Sequence, residues 1–308
     1  YIDSLIQEIH LVGSQHTERK KVTSLYFGGG TPALAAHRIK EIVAALKEHF
    51  VITEGIGIEL HPDNVNVEVL QALKDAGVTK ISIGVQSFCH KYQKLLGRKK
   101  LDTDKMLSAL SAVPFETVSM DFIFALPGQT YDDLKSDIET AFSLGANHIA
   151  IYPFIDFTFT ESPLAAMPKK DKRRLLDAIT QYCLDMGYFR SSVWTFSSES
   201  NASYSSMTRD TFLGFGCSAT SLFKGQFKIN TFDVASYCER ISSGNLATAL
   251  TIRFTKRQRM IYWLFWTAYS TRVNAKAFET FFGVPLKKMY GIELWLAKQF
   301  GLLKEQNG

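Results

Sequence analysis

The 308-residue sequence has few cysteines, and they lie far apart. They are Cys89, Cys183, Cys217 and Cys238. This spacing excludes a compact cysteine loop of the kind that holds an iron–sulfur cluster. We therefore expect no metal site formed by these thiols, and we interpret them as buried or neutral thiols in a reducing cytoplasm.

Long apolar runs, targeting signals and low-complexity segments are also absent from the sequence. No apolar run approaches the roughly 20 residues that a membrane-spanning helix needs, and no signal sequence is visible. The formal net charge of +5 is modest, and its densest basic run, residues 169–174, is typical of the solvated first turns of a helix. We predict a cytoplasmic protein with no membrane span and no nucleic-acid partner.

Strand-like apolar runs alternate with stretches of helical periodicity through the first two thirds of the chain. The predicted strands are residues 22–27, 57–60, 80–85, 117–124, 148–154 and 189–196, and the predicted helices are 35–50, 67–75, 90–96, 103–110, 131–144 and 169–186. Strands separated by such helices imply right-handed crossovers and a parallel sheet. With one further strand expected before residue 1, the predicted fold class is α/β, a partial (β/α)6 TIM-like barrel.

The sequence changes character after residue 196. Residues 257–270 carry Tyr262, Trp263, Phe265, Trp266 and Tyr269 around nearly the whole circumference of a predicted helix, which is typical of burial. Two further helices, 275–282 and 286–300, complete a small, mostly helical, winged-helix-like domain, and the last is too apolar to face DNA phosphates. We predict a barrel over 1–196, a connecting segment over 197–250 and a C-terminal domain over 251–308.

Candidate binding residues follow the predicted strands. Gly28, Gly29 and Gly30 stand directly after the first strand, where three glycines let the backbone approach a ligand closely. Four more polar residues are each predicted to end a later strand, namely Glu59, Gln86, Arg98 and Asp121. Because the carboxyl ends of barrel strands meet at one face, these groups predict a site for a phosphate, carboxylate or amino-acid ligand.

Each of these carboxylates also has a purely structural alternative. A buried, unpaired Glu59 would cost several kcal/mol, so it needs a donor or a cationic partner, and a neighbouring Arg or Lys would serve. Asp121 could likewise form an ion pair with Arg98.

Four segments together resemble the radical S-adenosylmethionine (SAM) enzymes of the oxygen-independent coproporphyrinogen III oxidase, or HemN-like, family. They are Tyr-Phe-Gly-Gly-Gly-Thr-Pro at 26–32, Ile-Glu-Leu-His-Pro at 58–62, Ser-Ile-Gly-Val-Gln-Ser-Phe at 82–88 and Asp-Phe-Ile-Phe-Ala-Leu-Pro-Gly-Gln-Thr at 121–130. The resemblance covers residues 1–155 strongly and the rest weakly. It implies one or two SAM molecules, a [4Fe–4S] cluster and an external electron donor such as flavodoxin or ferredoxin.

The family's Cys-x3-Cys-x2-Cys cluster loop is absent from this sequence. The chain opens on Tyr1 rather than Met, with a stretch that is similar to the helix after that loop. We therefore expect the N-terminal strand and the cluster loop to precede this chain in the full-length protein.

The resemblance also implies roles for individual residues. It assigns the aminocarboxylate of SAM to Gly29, Gly30 and Thr31, and it counts Gly28 and Glu59 among the cofactor-binding residues. Gln86, Arg98 and Asp121 match residues that help to hold a second SAM, and Ile155 and Thr220 align with adenine-side contacts. The Gly-rich segment 212–219 is similar to a stretch that covers the barrel mouth.

The reaction implied by the resemblance begins with reductive cleavage of SAM to a 5′-deoxyadenosyl radical. Haem-chaperone relatives carry His-Asn-x-x-Tyr-Trp, whereas residues 200–205 read Ser-Asn-Ala-Ser-Tyr-Ser, which argues against haem trafficking. The retained Gln86, Arg98 and Asp121 favour C-methylation or cyclopropanation of an sp² carbon in an aromatic or heteroaromatic substrate. The alternatives are a coproporphyrinogen III oxidase and a non-catalytic haem- or SAM-binding protein of the same fold.

Overall fold

The computed structural model describes residues 1–15, 18–155, 164–199 and 210–305. The strands are β1 (Lys20–Val22), β2 (Leu25–Phe27), β3 (Phe50–Ile52), β4 (Ile56–Leu60), β5 (Lys80–Gln86), β6 (Thr117–Phe124), β7 (His148–Pro153), β8 (Phe189–Arg190), β9 (Thr195–Ser197), β10 (Thr220–Phe223), β11 (Gln226–Asn230) and β12 (Thr248–Arg253). The helices are α1 (Ile2–Gly13), α2 (Ala36–His49), α3 (Val67–Asp75), α4 (His90–Leu95), α5 (Thr103–Ala112), α6 (Tyr131–Ser143), α7 (Lys169–Asp185), α8 (Val234–Ser242), α9 (Lys256–Ala268), α10 (Ala275–Phe282) and α11 (Leu286–Gln299). Short 3₁₀ helices occupy Pro32–Ala35 and Pro62–Asn64.

A seven-stranded sheet in the order β2-β4-β5-β6-β7-β9-β8 forms the centre of the molecule. Its first five strands are parallel, and helices connect them, as the alternating pattern predicted. The helices bury apolar faces at helical spacing against this sheet; α2, for example, buries Ile39, Ile42, Val43 and Leu46. The predicted α/β fold with a parallel sheet is therefore confirmed.

The first predicted strand, residues 22–27, is divided in the structure. β1 pairs with β3 in a separate two-stranded sheet, and β2 alone joins the central sheet beside β4. The step occurs where the amides of Thr53 and Glu54 donate to the carbonyls of Val22 and Thr23. The division leaves β2 short, so the chain reaches the glycines at the rim of the sheet after three paired residues.

The prediction of one last parallel strand over residues 189–196 is wrong. β8 and β9 are the two arms of a hairpin, and β9 pairs with β7 in the antiparallel sense. The turn between them is closed by hydrogen bonds from Trp194 N to Ser192 Oγ (3.1 Å) and from Arg190 Nη2 to Val193 O (2.9 Å). A hairpin this tight leaves no crossover helix, so the sheet ends here.

The C-terminal part contains the antiparallel sheet β10-β11-β12 and the helices α9 to α11. The helices pack around Met260, Trp263, Phe278 and Phe282. The predicted burial of α9 on all faces is wrong, because Phe265 keeps 55% of its surface exposed while one stripe through Trp263 is buried. Among the described helices, none has the length and apolarity needed to cross a bilayer.

A buried carboxylate on α1 connects the barrel to the chain after residue 210. Glu8 is 3% exposed, and its oxygens accept hydrogen bonds from Gly216 N (2.7 Å), Asn230 Nδ2 (2.8 Å) and Tyr237 Oη (2.7 Å). Burial raises the pKa of Glu8, and these three donors oppose that rise. All three come from the segment that follows the barrel, so Glu8 holds this segment against α1.

We expect Glu8→Ala to lower the free energy of unfolding by about 2–4 kcal/mol, because it leaves three buried donors without an acceptor. Urea denaturation followed by circular dichroism measures the change. The control is Gln7→Ala, at an exposed neighbouring position of the same helix. Equal stability of the two variants would contradict the assignment.

Candidate functional site

The Gly-rich turn after β2 is built around the carboxylate of Glu59. Glu59 Oε1 accepts a hydrogen bond from Tyr26 Oη (2.9 Å), and Oε2 accepts one from Gly29 N (3.2 Å). A Cβ on Gly28 would lie 2.8 Å from Glu59 Oε1, so only glycine allows the carboxylate to come this close. Gly29 has φ +101°, which also favours glycine, whereas Gly30 has no neighbouring atom within 4 Å of a Cβ position. The turn is thus closed on the Glu59 side and open at Gly30.

Behind this turn, polar side chains follow the interior face of the barrel at every second residue. Ser82 Oγ donates to both oxygens of Asp121 (2.9 Å each), and Ser119 Oγ lies 3.4 Å from Asp121 Oδ1. Ser119 Oγ also lies 2.9 Å from Nδ1 of the buried His148. This chain of hydrogen bonds crosses β5, β6 and β7 and forms a polar floor below the mouth of the barrel.

The electrostatics of this interior favour a cationic ligand. Burial, and then the charge of Glu59, raise the pKa of Asp121 to about 6, while its two serine partners oppose the rise. Burial, and then the charges of Asp121 and Glu59, raise the pKa of Tyr152 to about 12. Burial lowers the pKa of His148 to about 4, so this imidazole is neutral at pH 7. Among the ion pairs of the described residues, none involves Glu59 or Asp121.

The side chains of Gln86 and Arg98 both approach Gly84, next to the carboxylates of Glu59 and Asp121. Arg98 Nη1 donates to Gly84 O (2.6 Å), and a Cβ on Gly84 would lie 3.2 Å from Gln86 Nε2. Gln86 has φ +69°, a conformation that costs a non-glycine residue about 1 kcal/mol or more and is often found at functional sites. Arg98 also borders a polar pocket of about 180 Å³ with His61. These two residues form a second polar corner next to the carboxylates.

Two of the predicted positions differ from the structure. Arg98 does not end a strand, because it lies in the loop after α4, and Asp121 is the fifth of eight residues in β6. The alternative ion pair between Asp121 and Arg98 is not formed, since Asp121 bonds to serines and Arg98 to a backbone carbonyl. Glu59 likewise takes Tyr26 and a backbone amide as donors. Within the described part of the chain, neither carboxylate has the cationic side-chain partner of the structural alternatives.

The remaining candidates lie at the edges of this arrangement. Thr31 precedes the 3₁₀ helix without a capping hydrogen bond, and Ile155 follows β7 with 53% of its surface exposed. Thr220 begins β10 in the three-stranded sheet β10-β11-β12. The structure shows no hydrogen bond between Thr220 and the carboxylate of Glu59 or Asp121. Residues 200–205, which carry the altered chaperone motif, lie outside the described residues.

The glycines of segment 212–219, which was predicted to cover the barrel mouth, have a local structural explanation. A Cβ on Gly214 would lie 2.1 Å from Thr220 O, and one on Gly216 would lie 2.7 Å from Tyr1 Oη. These glycines therefore allow close packing of the segment on β10 and on the start of α1.

The described residues do not provide ligands for an iron–sulfur cluster. All four cysteines are free thiols in the described chain, and burial raises the pKa of Cys183 to about 12. The one group of three or more metal-binding side chains found in the described part contains no cysteine.

Sequence reasoning missed the polar floor and its partners at the rim. The missed residues are Tyr26, Ser82, Ser119, His148 and Tyr152. Their signal was present as alternation, since Ser82 and Gln86 share one face of β5, and Ser119 and Asp121 share one face of β6. The prediction considered only residues at strand ends and therefore missed this alternation.

Comparison with known proteins identifies the domain to which this site belongs. The family model of the Radical SAM superfamily matches residues 3–141, so the chain contains a radical SAM domain. Proteins of this superfamily use SAM and a [4Fe–4S] cluster. The coproporphyrinogen III oxidase (HemN) structure from Escherichia coli superposes with a TM-score of 0.81 at 20% identity, over 98% of this chain and 75% of that one. This likeness supports the fold.

Two curated relatives illustrate the range of proteins that this chain is similar to. The haem chaperone HemW of Lactococcus lactis subsp. lactis (strain IL1403) is 31% identical over 242 residues, which is 73% of this chain and 62% of that protein. The oxygen-independent coproporphyrinogen III oxidase of Pseudomonas aeruginosa is 24% identical over 281 residues, 80% of this chain and 60% of that protein. The chain thus spans about three fifths of the length of both relatives.

We expect Gly28→Ala to weaken SAM binding about tenfold or more, because the added methyl group displaces the Glu59 carboxylate. Isothermal titration measures the affinity. Gly30→Ala is the matched variant, since its methyl group meets no protein atom within 4 Å. Its melting temperature should equal that of the wild type, so any loss of SAM affinity there reports contact with the ligand. Unchanged affinity in both variants would contradict a binding role for the turn.

The raised pKa of Asp121 predicts a pH-dependent gain of stability in Asp121→Asn. The folded state holds the proton more tightly than the usual value of 3.8, so this group's contribution to stability is complete below that value and is lost as pH rises through about 6. We expect the variant to exceed the wild type by about 1–3 kcal/mol in free energy of unfolding near pH 8, and the gap to close near pH 4.

Urea titrations across this pH range test the Asp121 prediction, with the exposed Asp75→Asn as control. A stability difference between Asp121→Asn and wild type that stays constant with pH would contradict it.

Proposed function

We propose that the barrel binds SAM against the interior carboxylates, as the binding part of a HemN/HemW-like radical SAM protein. One observation carries the proposal: Glu59 and Asp121 both face the barrel interior with no cationic side-chain partner among the described residues, beside a turn that is open at Gly30. SAM carries a sulfonium and an ammonium group, which would supply the missing positive charge. A neutral or anionic ligand would leave both carboxylates uncompensated.

In this proposal, residues at the rim of the barrel and residues on its polar floor bind different groups of SAM. Glu59, held by Tyr26 and Gly29, is placed to accept from the ammonium of SAM at the rim. Asp121, held by Ser82 and Ser119, is placed deeper, where it can orient a hydroxyl or a cation. Together with a reduced cluster, SAM supplies a hydrogen-abstracting radical; the barrel wall excludes water from its surroundings.

The proposed substrate class is a tetrapyrrole. The support is that one relative is named a haem chaperone and another a coproporphyrinogen III oxidase, and that the chain is similar to both. Methyl transfer to an aromatic carbon, favoured by the sequence, stays a prediction, for which Gln86 and Arg98 at Gly84 offer a second polar corner.

Binding of SAM to this chain tests the proposal directly. We expect Glu59→Gln to weaken SAM at least about tenfold, since it removes the charge facing the cationic ligand. S-adenosylhomocysteine, which lacks the sulfonium charge, should bind more weakly than SAM to the wild type. The control is Glu54→Gln, at an exposed position before β4. Equal affinity of Glu59→Gln and wild type would overturn the assignment.

Experiments on the full-length gene product distinguish three candidate functions, which are porphyrinogen decarboxylation, haem chaperoning and methyl transfer. After anaerobic iron–sulfur reconstitution, the gene product receives SAM, a reductant and either haem or coproporphyrinogen III, and the products are identified by mass. Decarboxylated porphyrinogen with 5′-deoxyadenosine supports the oxidase, and tight haem binding without porphyrinogen turnover supports the chaperone. S-adenosylhomocysteine formed together with 5′-deoxyadenosine would instead support methyl transfer.

A further inference from the structure

Two histidines and a glutamate meet where α1 and α2 both end, outside the site described above. His10 lies near the end of α1, and Glu48 and His49 close α2. His10 Nδ1 lies 3.0 Å from His49 Nε2 and 3.8 Å from Glu48 Oε2, and one ligand atom from each residue lies within 4.8 Å of the others. Because α2 is 14 residues long, its end lies about 20 Å from its start, which follows the Gly-rich turn.

We propose that His10, Glu48 and His49 form a binding site for a divalent transition-metal ion, with Zn²⁺ as the best fit. Two imidazole nitrogens and one carboxylate oxygen are a ligand set that suits Zn²⁺ and its neighbours Co²⁺ and Ni²⁺, with water in the remaining position. Two nitrogens on a tetrahedral Zn²⁺ stand roughly 3.3 Å apart for Zn–N bonds near 2.05 Å. The observed 3.0 Å needs to open by only a few tenths of an ångström.

The packing of His49 indicates that its ring is held in place. A Cβ on Gly13 would lie 2.1 Å from Cγ of His49, so the imidazole rests directly on the backbone of α1. Gly13 does not have a positive φ, and its missing side chain is therefore explained by this contact alone. The two rings meet edge to face, with centroids 5.3 Å apart. One of the three ligands is thus positioned before any metal arrives.

The surroundings also favour a cation. His10 lies in the last turn of α1, and Glu48 and His49 lie in the last turn of α2; such helix ends carry partial negative charge. His10 and Glu48 stay 43% and 64% exposed at their side chains, so an ion can enter from solvent. In the metal-free state one ring donates a proton to the other. On binding, that proton moves to the far nitrogen of the donating ring, and both facing nitrogens become ligands.

Occupation of this site would join α1 to α2. Glu8 on the same α1 holds the chain after residue 210, so the ion would stiffen the helix on which that attachment depends. By mass action, an ion that binds only the folded chain stabilises it; we expect the melting temperature to rise by about 5 °C at roughly 100 times Kd.

The test uses the untagged chain, treated with chelator and titrated with Zn²⁺ by calorimetry. We expect one ion per chain with a Kd of about 10 μM or tighter. His10→Gln should weaken binding at least about tenfold and Glu48→Gln by a smaller factor, while His37→Gln, an exposed histidine at the start of the same α2, should bind as the wild type does. Circular dichroism confirms that each variant is folded.

Co²⁺ identifies the ligand type independently. Visible Co²⁺ ligand-field bands without a near-ultraviolet thiolate-to-cobalt charge-transfer band, lost in His10→Gln, support the histidine site. The proposal is overturned by a thiolate spectrum, by wild-type affinity in His10→Gln, or by the absence of binding to the wild type.

Discussion

Negative charge inside a parallel barrel is the constraint on which this site depends. A carboxylate among β-strands loses its water, and hydrogen bonds must replace it. Glu59 obtains Tyr26 and the amide of Gly29, and Asp121 obtains Ser82 and Ser119. Gly28 is required because any side chain there would occupy the place of the Glu59 carboxylate. The glycines, serines and tyrosine around the mouth are therefore consequences of two partly buried carboxylates.

These hydrogen bonds stabilise the carboxylates but do not neutralise them. Oxygens that accept only from neutral donors keep their net negative charge, whereas an arginine partner would compensate it. Arg98 lies close by but donates to the carbonyl of Gly84 instead. The radical SAM match over residues 3–141 agrees with this arrangement, because the cofactor of that superfamily carries the missing positive charge.

Glu8 is a third carboxylate inside the protein, and it has a structural role. Glu8 is satisfied by three donors from the segment after residue 210, and so connects elements more than 200 positions apart. The difference between the two cases lies in exposure. Glu8 is 3% exposed inside a closed interface, while Glu59 and Asp121 both keep part of their surface exposed. A carboxylate therefore holds two parts of the chain together at Glu8, whereas the carboxylates of Glu59 and Asp121 remain available to a ligand.

The sequence alone determined the elements and the turn, because these depend on local pattern. Residues 67–75 and 117–124 were predicted to the residue, and the glycines after β2 marked the turn that packs on Glu59. Tertiary structure alone decided the division of residues 22–27, the antiparallel hairpin at 189–196 and the pairing of Asp121 with serines rather than Arg98. Strand partners and hydrogen-bond partners are chosen between segments distant in the chain, and no local periodicity records that choice.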